Sequence, residues 1–464
     1  MYRKSKKIHF VGIGGIGMSG IAELLLNLGY KVSGSDLNTT AITEHLRALG
    51  GIIHQGHNEE HIGEAEVVVT SSAIAEDNPE VLAARARRIP VVQRAEMLAE
   101  LMRLKKFGIA IAGSHGKTTT TSMVAWLLSQ AGFDPTIVIG GRVDSLGGNA
   151  HLGEGEFLVA EADESDGSFL KLSPVLEIVT NIDLEHLDYY RDIEHIKETF
   201  LRFIGKIPFY GAAILCLDDE NIADILPQIS RRVITYGLTA QADYRGENLR
   251  FKDGRVFADV YRGERFLGVI DVAPPGRHNI YNALAAVAIG EELDISFAVI
   301  SQALRGFPGV QRRMQKKGEI AGVTVVDDYG HHPTEIRATL AAIKTAWPNK
   351  RLLALFQPHR YSRTQALAQE FHTCFHQADV LFMTEIYAAS EAPIEGVSGA
   401  GLLAECERHG QKQAHFVANV EEMAAAALPI LKENDLVLTL GAGNIVKVGE
   451  ELLELLAAGR GPGK

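Results

Sequence analysis

The sequence predicts an α/β protein of three units, each a mostly parallel sheet covered by helices on both faces. Three observations carry this. A short apolar run leads into a glycine-rich turn or phosphate-type loop three times: Ile8 to Gly17, Ile109 to Thr118 and Leu436 to Asn444. Apolar strands alternate with helical stretches between those runs, the pattern of parallel sheets buried on both sides. At 464 residues the chain is too long for a single core.

In the first unit, Ile8 begins a strand, Met18 to Leu28 reads as a helix stopped by Gly29, and Lys31 to Ser35 is the next strand. Val67 to Thr70 is another strand, closing on Ser71-Ser72, and the charged stretch Arg94 to Lys106 is helical. The middle unit opens with the Ile109 strand and a helix from Thr118 to Gln130. Phe157 to Ala160 and Leu176 to Thr180 are strands that each end in a polar cluster. Asp243 to Asp271 alternates polar and apolar residues with turn signals, as an antiparallel insertion does, and Asn279 to Glu291 is an Ala-rich helix. Gly306-Phe307-Pro308-Gly309 marks a boundary. The last unit has strands at Val323 to Val326, Leu352 to Phe356, Val380 to Met383 and Leu436 to Leu440. In open α/β sheets ligands sit beyond the carboxyl ends of strands, and every polar cluster here lies at such an end.

Composition narrows the function. Lys plus Arg (46) less Asp plus Glu (58) gives a net charge of −12, which argues against nucleic acid or an anionic membrane as the main partner. Cys216, Cys374 and Cys406 are far apart in sequence and make no CxxC pair, as expected for a reduced cytoplasm without disulfides or a thiolate zinc site. The basic start, Arg3 to Lys7, runs into a strand and glycines rather than the long apolar core of a signal peptide. No apolar run reaches the length of a membrane span. The expectation is a cytoplasmic protein, with the short Gly459 to Lys464 tail its only low-complexity segment.

Gly113-Ser114-His115-Gly116-Lys117-Thr118, followed by Thr119, is the most informative stretch. Backbone N–H groups and a helix N-terminus face an anion in such a loop, Lys neutralises it, and a Thr hydroxyl coordinates Mg²⁺. ATP is therefore the first partner to consider. The loop is two residues shorter between its glycines than the general phosphate-loop pattern. Gly12-Ile13-Gly14-Gly15-Ile16-Gly17 fits the GxGxxG pattern, with Asp36 at the distance of a ribose contact. Taken alone it suits NAD as well as any other diphosphate, so a dehydrogenase is the competing reading.

Glu161-Ala162-Asp163-Glu164-Ser165-Asp166 and Asn181-Ile182-Asp183-Leu184-Glu185-His186 follow neighbouring strands. A carboxylate and an imidazole at neighbouring strand ends, beside the Thr of a phosphate loop, suit one or two Mg²⁺ ions, the alternative being a solvated acidic loop with a surface histidine. In Asp327-Asp328-Tyr329-Gly330-His331-His332-Pro333-Thr334-Glu335, Pro333 reads as the first residue of a helix with His332 beside its N-cap, so a substrate-facing loop is favoured over zinc. Arg360 and Arg363 lie beyond another strand, where phosphate or carboxylate can meet them, although solvated surface arginines fit equally well.

Together these motifs, with Gly276-Arg277-His278-Asn279, resemble the Mur ligases over essentially the whole chain and in the family's order, and the shortened phosphate loop is the form that family uses. The resemblance implies a Rossmann-like domain for a UDP-sugar (1–106), a central phosphate-loop ATPase-like domain (107–310) and a C-terminal Rossmann-like domain (311–464) that closes over both. It implies UDP-N-acetylmuramate, L-alanine, ATP and Mg²⁺ as ligands, no nucleic acid or membrane partner, and a monomer or weak homodimer. Carried over by position, Gly113, Ser114, His115, Gly116, Lys117, Thr118 and Thr119 hold ATP phosphates, and Thr118, Glu161 and His186 bind metal. His278, Asn279 and Asn282 lie near the adenine, and Arg313 and Asp328 reach ATP from the last domain. Lys117, Glu161, His186 and Arg313 form the catalytic set. Gly14, Gly15, Ile16, Gly17, His57, Ser71, Ser72, Tyr329, His331, Arg360 and Arg363 face the substrates.

Several branches of the family carry a carbamylated lysine one helix after the histidine. The matching position here is Leu201, and Lys197 is out of register, so no such modification is expected. Lys117→Ala and Glu161→Ala are each expected to abolish turnover with the fold intact. The remaining alternatives are the family's peptide-recycling ligase, an NAD-dependent oxidoreductase and a non-catalytic nucleotide-binding regulator.

Overall fold

The computed structural model describes residues 6–143, 148–187, 189–389 and 391–459. Of the basic start, Arg3 to Ser5 lie outside them, as does the tail from Arg460. The chain forms two compact units: Met1–Glu247 with Asp259–Ile270 and Tyr281–Pro308, and Asn248–Ala258 with Asp271–Ile280 and Gly309–Lys464.

The first sheet has five parallel strands in the order Ile52–Gln55, Lys31–Asp36, Lys7–Val11, Val67–Thr70, Val91–Gln93. The chain adds strands on one side of Lys7–Val11 and then on the other. The end of that strand is therefore a switch point, where a crevice opens for a ligand. Gly12, at φ 76, turns the chain there. The following helix spans Ile16–Asn27, two residues earlier than its apolar pattern suggests, because Gly15 is already the N-cap. The Arg94–Met102 helix stops before Lys106. Lys105 instead reaches across to donate to the carbonyls of Gly153 and Gly155.

The second sheet runs Arg265–Val272, Arg255–Arg262, Tyr244–Lys252, Val233–Gly237, Ala212–Cys216, Leu176–Val179, Phe107–Ala112, Phe157–Glu161, Thr136–Val143, Gly148–His151. Ile109 to Ala112 are fully buried, as expected for a strand covered on both faces. Tyr244–Lys252 and Arg255–Arg262 instead alternate buried with more exposed residues, the signature of a sheet with one solvated face. Glu161 is the last residue of its strand, opposite Ile111, rather than the first residue of a loop.

The third sheet runs Gln315–Ile320, Val323–Asp328, Asp435–Leu440, Arg351–Phe356, Val380–Met383, Ala414–Phe416, with only the first pair antiparallel. Alternation of side chains along Asp435–Leu440 feeds two cores. Leu436, Leu438 and Leu440 pack with Phe356, Phe371 and Phe375, while Val437 packs with Leu353, Leu355 and Leu452. Cys374 and Cys406, distant in sequence, are both buried thiols that donate to the Phe371 carbonyl. Among the described residues no helix is long and apolar enough to cross a membrane.

Candidate active site

The phosphate-type loop joins the buried strand Phe107–Ala112 to the helix Lys117–Gln130. That helix opens with four threonines, which disfavour the conformation. Tertiary burial holds it, and the hydroxyls of Thr121 and Ser122 return to the carbonyls of Lys117 and Thr118. Gly113 (φ 128) and Gly116 (φ 80) make the turn. The space is closed as well: a Cβ on Gly113 would lie 2.1 Å from Thr180 Oγ1, and one on Gly116 2.8 Å from Asn282 Oδ1.

The polar cluster after Leu176–Val179 is what shapes the loop. Thr180 Oγ1 and Asn181 Nδ2 donate to the His115 carbonyl at 2.6 and 2.9 Å. The His115 N–H donates to Asn181 Oδ1 at 2.8 Å, and its ring lies 3.0 Å from Asp183 Oδ2. The Asp183 N–H donates to Ser114 Oγ. Asn282, from the helix Arg277–Glu292, accepts from Thr120 Oγ1 at 3.1 Å.

Lys117 folds back onto its own loop. Its ammonium donates to the carbonyls of Gly113 (2.6 Å) and Ser114 (3.0 Å) and to Glu164 Oε1 (2.7 Å). Burial works against the charge, but Glu164 and Glu185 outweigh it and raise the Lys117 pKa. Thr118 Oγ1 donates to Glu161 Oε1 at 3.1 Å, and the Gly140 N–H to Glu161 Oε2 at 2.8 Å. His186 has φ 56, the left-handed region that non-glycine residues enter at a cost. Its Nε2 lies 3.5 Å from Glu164 Oε1 and 3.8 Å from Glu185 Oε2. Burial lowers its pKa, but those two carboxylates outweigh it and the net shift is upward. Thr118 thus meets Glu161, and His186 meets Glu164 and Glu185. The oxygen-rich donor set with one imidazole, and a Glu164 Oε2 that is buried without a hydrogen-bond partner, fit a hydrated divalent cation.

At the glycine-rich turn of the first sheet, Asp36 Oδ2 accepts from the Gly14 N–H at 2.9 Å and so braces the loop. Ile16 and Gly17 form the first turn of the helix behind Gly15. Ser71 and Ser72 follow the Val67–Thr70 strand, and Ile74 just beyond them covers Gly12. His57 Nδ1 lies 3.0 Å from Ser35 Oγ and 3.3 Å from Glu80 Oε2. Two further residues reach this turn. A Cβ on Gly17 would touch the Arg94 guanidinium at 2.7 Å, and Asn149 Nδ2 donates to the Ile16 carbonyl at 2.6 Å. Arg94 also pairs with Asp163 at 2.7 Å. Burial raises the Asp163 pKa, but Arg94 and Ser165 outweigh it and bring it down to about 2.

In the C-terminal unit, Arg313 sits between two residues in the left-handed region, Arg312 (φ 58) and Met314 (φ 45). Its guanidinium lies over the Tyr329 ring at 5.3 Å and 3.6 Å from Glu335. Asp328 closes the strand Val323–Asp328 and accepts from the N–H groups of Met314 and Gly330. Burial, partly offset by Arg313, pushes its carboxyl up to about 6. His332 is the N-cap of the helix Pro333–Ala346 in a capping box with Glu335, which also accepts from the His331 N–H. His331 Nδ1 lies 3.1 Å from the Tyr329 carbonyl oxygen, and its ring is 5.8 Å from that of His359. Arg360 (φ 71) donates through its N–H to the Tyr387 carbonyl, and Arg363 donates to the His359 carbonyl at 3.3 Å. Burial, with Arg313 nearby, lowers His278 to about 4. Asn279 Nδ2 donates to the Pro274 carbonyl.

Glu164 and Glu185 lie in the two acidic runs without a role of their own in the sequence motifs, and Arg94 and Asn149 belong to no motif. For the two glutamates the signal was their place in the acidic runs at adjacent strand ends. For Arg94 and Asn149 there was none, since each meets the glycine turn only through tertiary folding.

A buried strand, a Gly-Lys-Thr loop and carboxylates at adjacent strand ends, in a chain with two further sheets, define a three-sheet phosphate-loop α/β protein. The chain belongs to the Mur ligase family. The family's models match in sequence order: the Mur ligase family catalytic domain over residues 7–106, the Mur ligase middle domain over 111–290, and the Mur ligase glutamate ligase domain over 312–443. The chain is 68% identical to the UDP-N-acetylmuramate–L-alanine ligase of Desulfotalea psychrophila, over 98% of this chain and 99% of that protein. It is 59% identical to the ligase of the same name from Geobacter sulfurreducens, over 99% of this chain and 100% of that one. The crystal structure of UDP-N-acetylmuramate-alanine ligase from Thermotoga maritima superposes with a TM-score of 0.83 at 31% identity, covering 98% of this chain and 99% of that one.

Proposed function

We propose that this chain is an ATP-dependent ligase that joins L-alanine to the lactyl carboxylate of UDP-N-acetylmuramate, releasing ADP and phosphate. The observation that carries the reading is the phosphate loop with Lys117 and Thr118 beside Glu161, in a chain 68% identical end to end to a ligase of that name. A carboxylate does not condense with an amine unless it gains a leaving group. Its oxygen attacks the γ-phosphorus of ATP, the bond to ADP breaks, and an acyl phosphate forms. The alanine amine then attacks the acyl carbon, loses a proton, and phosphate departs with the C–O electron pair.

The chain's own residues bind, orient and neutralise. The N–H groups of residues 113–119 and the Lys117 ammonium hold the phosphates, and Arg313 offsets the transferring charge. His278, Asn279 and Asn282 form the adenine end, with Asp328 and Arg313 reaching ATP from the last domain. Thr118, Glu161 and His186 hold Mg²⁺, which when bound supplies Lewis-acid neutralisation of phosphate charge. Gly14, Gly15, Ile16 and Gly17 cradle the UDP diphosphate instead of NAD, with Arg94 as an added cation and His57, Ser71 and Ser72 on the sugar nucleotide. Tyr329, His331, Arg360 and Arg363 receive the amino acid and the reacting carboxylate. Domain limits at 106/107 and 310/311, a cytoplasmic location and a monomer or weak homodimer belong to the same reading.

The test is phosphate release from Mg-ATP with UDP-N-acetylmuramate and each of L-alanine, L-serine, glycine and a tripeptide. Release that needs both the sugar and L-alanine, with a product heavier by one alanine residue, supports the proposal. Release only with the tripeptide replaces it with a recycling ligase, and no release with any amino acid rejects ligation.

A further inference from the structure

In the C-terminal unit, Tyr329, His331, Arg360 and Arg363 lie beyond the carboxyl ends of the strands Val323–Asp328 and Arg351–Phe356. The other end of the same sheet carries a separate constellation. His372 is in the last turn of the helix Ala368–Cys374, which leads into the strand Val380–Met383. His409 is the C-cap of the helix Gly399–Arg408, which leads into the strand Ala414–Phe416. These two strands are parallel neighbours, so both histidines sit just before the amino ends of strands. Glu405 is one helical turn before His409 and shares its face. One Glu405 oxygen and one ring nitrogen from each histidine lie within 4.8 Å of one another.

The surroundings prepare this set for a metal. His409 Nδ1 lies 2.8 Å from the Glu405 carbonyl oxygen. A carbonyl only accepts, so Nδ1 carries the proton and Nε2 presents its lone pair, the way metal-binding histidines are commonly fixed. The His372 and His409 rings lie 23° from parallel with centroids 4.6 Å apart. The spacing of His372 and His376 suggests a pair on one helix, but that helix ends at Cys374, and His376 Nε2 instead donates to the His409 carbonyl at 3.0 Å. Gln411 Nε2 donates to the Ala378 carbonyl at 3.3 Å, and the Cys374 and Cys406 thiols share the Phe371 carbonyl beneath, so the two helix ends are fastened together. Carbonyls at two converging helix C-termini favour a cation. Arg408 engages Glu405 Oε1 and leaves Oε2 for a ligand bond.

We propose that His372, Glu405 and His409 form a binding site for a borderline divalent transition metal, zinc above all, which joins the two helices. Two imidazoles and a carboxylate, with water in the fourth position, are a zinc donor set, and the imidazoles select against Mg²⁺, which prefers oxygen. Zinc holds its ligands at about 2.0–2.2 Å and hence about 3.4 Å from one another, so these side chains draw in by up to about 1.4 Å, a rotation open to residues at the surface. The site lies at the end of the sheet opposite the residues proposed for substrates, and it does not depend on the function proposed above.

The test uses the full chain, freed of metal by chelation, in buffer with excess Mg²⁺. Zn²⁺ binding is measured by competition with a chromophoric chelator, and Co²⁺ binding by visible absorption. The wild type should bind Zn²⁺ with a micromolar or lower Kd and give the Co²⁺ spectrum of a four-coordinate ion. His372→Ala and His409→Ala should each weaken Zn²⁺ at least tenfold and abolish that spectrum, and Glu405→Gln should weaken Zn²⁺ several-fold. Glu405→Gln keeps the size and helix propensity of the residue, so the proposal stays testable if a histidine variant folds poorly. Zn²⁺ should also raise the Tm of the wild type more than that of any variant. A wild type that binds Zn²⁺ no tighter than millimolar, or Zn²⁺ affinity and a Co²⁺ spectrum that are the same in the wild type and all three variants, overturns the site.

Discussion

Thr118 Oγ1 donates to Glu161 Oε1 across 3.1 Å, tying the first turn of the phosphate-loop helix to the last residue of the neighbouring strand. Glu161 Oε2 is held by the Gly140 N–H, so this carboxylate is positioned before any ligand arrives. Glu161→Ala should abolish turnover with a normal melting profile, because the strand end survives without the side chain. Thr118→Ala should lower kcat roughly 100-fold and move the Mg²⁺ requirement to higher concentration, as loss of one ligand hydroxyl implies. Initial rates across a Mg²⁺ series check both, and an unchanged Mg²⁺ profile in Thr118→Ala would remove that hydroxyl from the metal site.

Lys117→Ala should abolish turnover too, but not with the fold untouched. Glu164 would keep a fully buried carboxylate with its main counter-ion gone. Breaking such a pair from one side costs about 3–5 kcal/mol, more than removing both partners. The single variant should therefore melt below the wild type, and Lys117→Ala combined with Glu164→Ala should recover part of the loss. A double variant less stable than either single one contradicts the pairing.

Gly113→Ala tests the loop without touching a charged group. A Cβ there would sit 2.1 Å from Thr180 Oγ1 and 2.9 Å from the Thr180 backbone nitrogen, at φ 128 where L-residues are strained. Backbone and neighbouring strand cannot both stay in place, so the variant should lose on the order of 2–3 kcal/mol and most nucleotide affinity. Thr180→Ser leaves the clash unrelieved, whereas Thr180→Ala should restore a measurable part of the affinity.

The fold was legible in the sequence because its signals are local. Apolar runs such as Ile109 to Ala112 followed by glycines say strand and turn, and Pro333 after His332 says helix start. Element ends were less legible. Glu161 and Asp328 read as loop residues because they are charged, yet each ends a strand, where backbone donors are at hand: Gly140 from the neighbouring strand for Glu161, Met314 and Gly330 from adjoining turns for Asp328. The site was legible wherever its residues lie within one motif, as in the phosphate loop. Partners brought in from another element were not: Arg94 at Gly17, Asn149 at Ile16, and the turning of Lys117 onto Glu164 depend on packing that no local pattern encodes.

Arg94 gives a prediction for the sugar-nucleotide end. Its guanidinium lies beside Gly17 and is oriented by Asp163 at 2.7 Å. Arg94→Ala should raise KM for UDP-N-acetylmuramate about tenfold or more while leaving KM for ATP nearly unchanged, since a charge-assisted contact to a diphosphate contributes on the order of 1.5–3 kcal/mol. Asp163→Asn, which frees the guanidinium, should give a smaller effect of the same sign. An equal rise in both KM values would place Arg94 in general folding rather than at the diphosphate.

Glu80 gives the pH dependence. It is fully buried, and its carboxylate accepts from Ser35 Oγ and the Asn58 N–H, with His9, His57 and His61 at 3.6, 3.3 and 3.0 Å. Burial raises its pKa, but His9, Ser35 and Asn58 outweigh that and bring it down from 4.5 to about 2. A carboxyl depressed on folding stabilises the native state fully above its unfolded pKa, and the contribution fades as pH falls toward the folded value. The window is therefore about pH 4.5 down to about pH 2, with an upper size near 3 kcal/mol. Glu80→Gln removes the titrating group: it should be less stable at neutral pH, and the gap to the wild type should narrow as pH falls below 4.5. Urea unfolding from pH 3 to pH 7 measures this, and a gap that stays constant across the series would mean that Glu80 is not held ionised by this cluster.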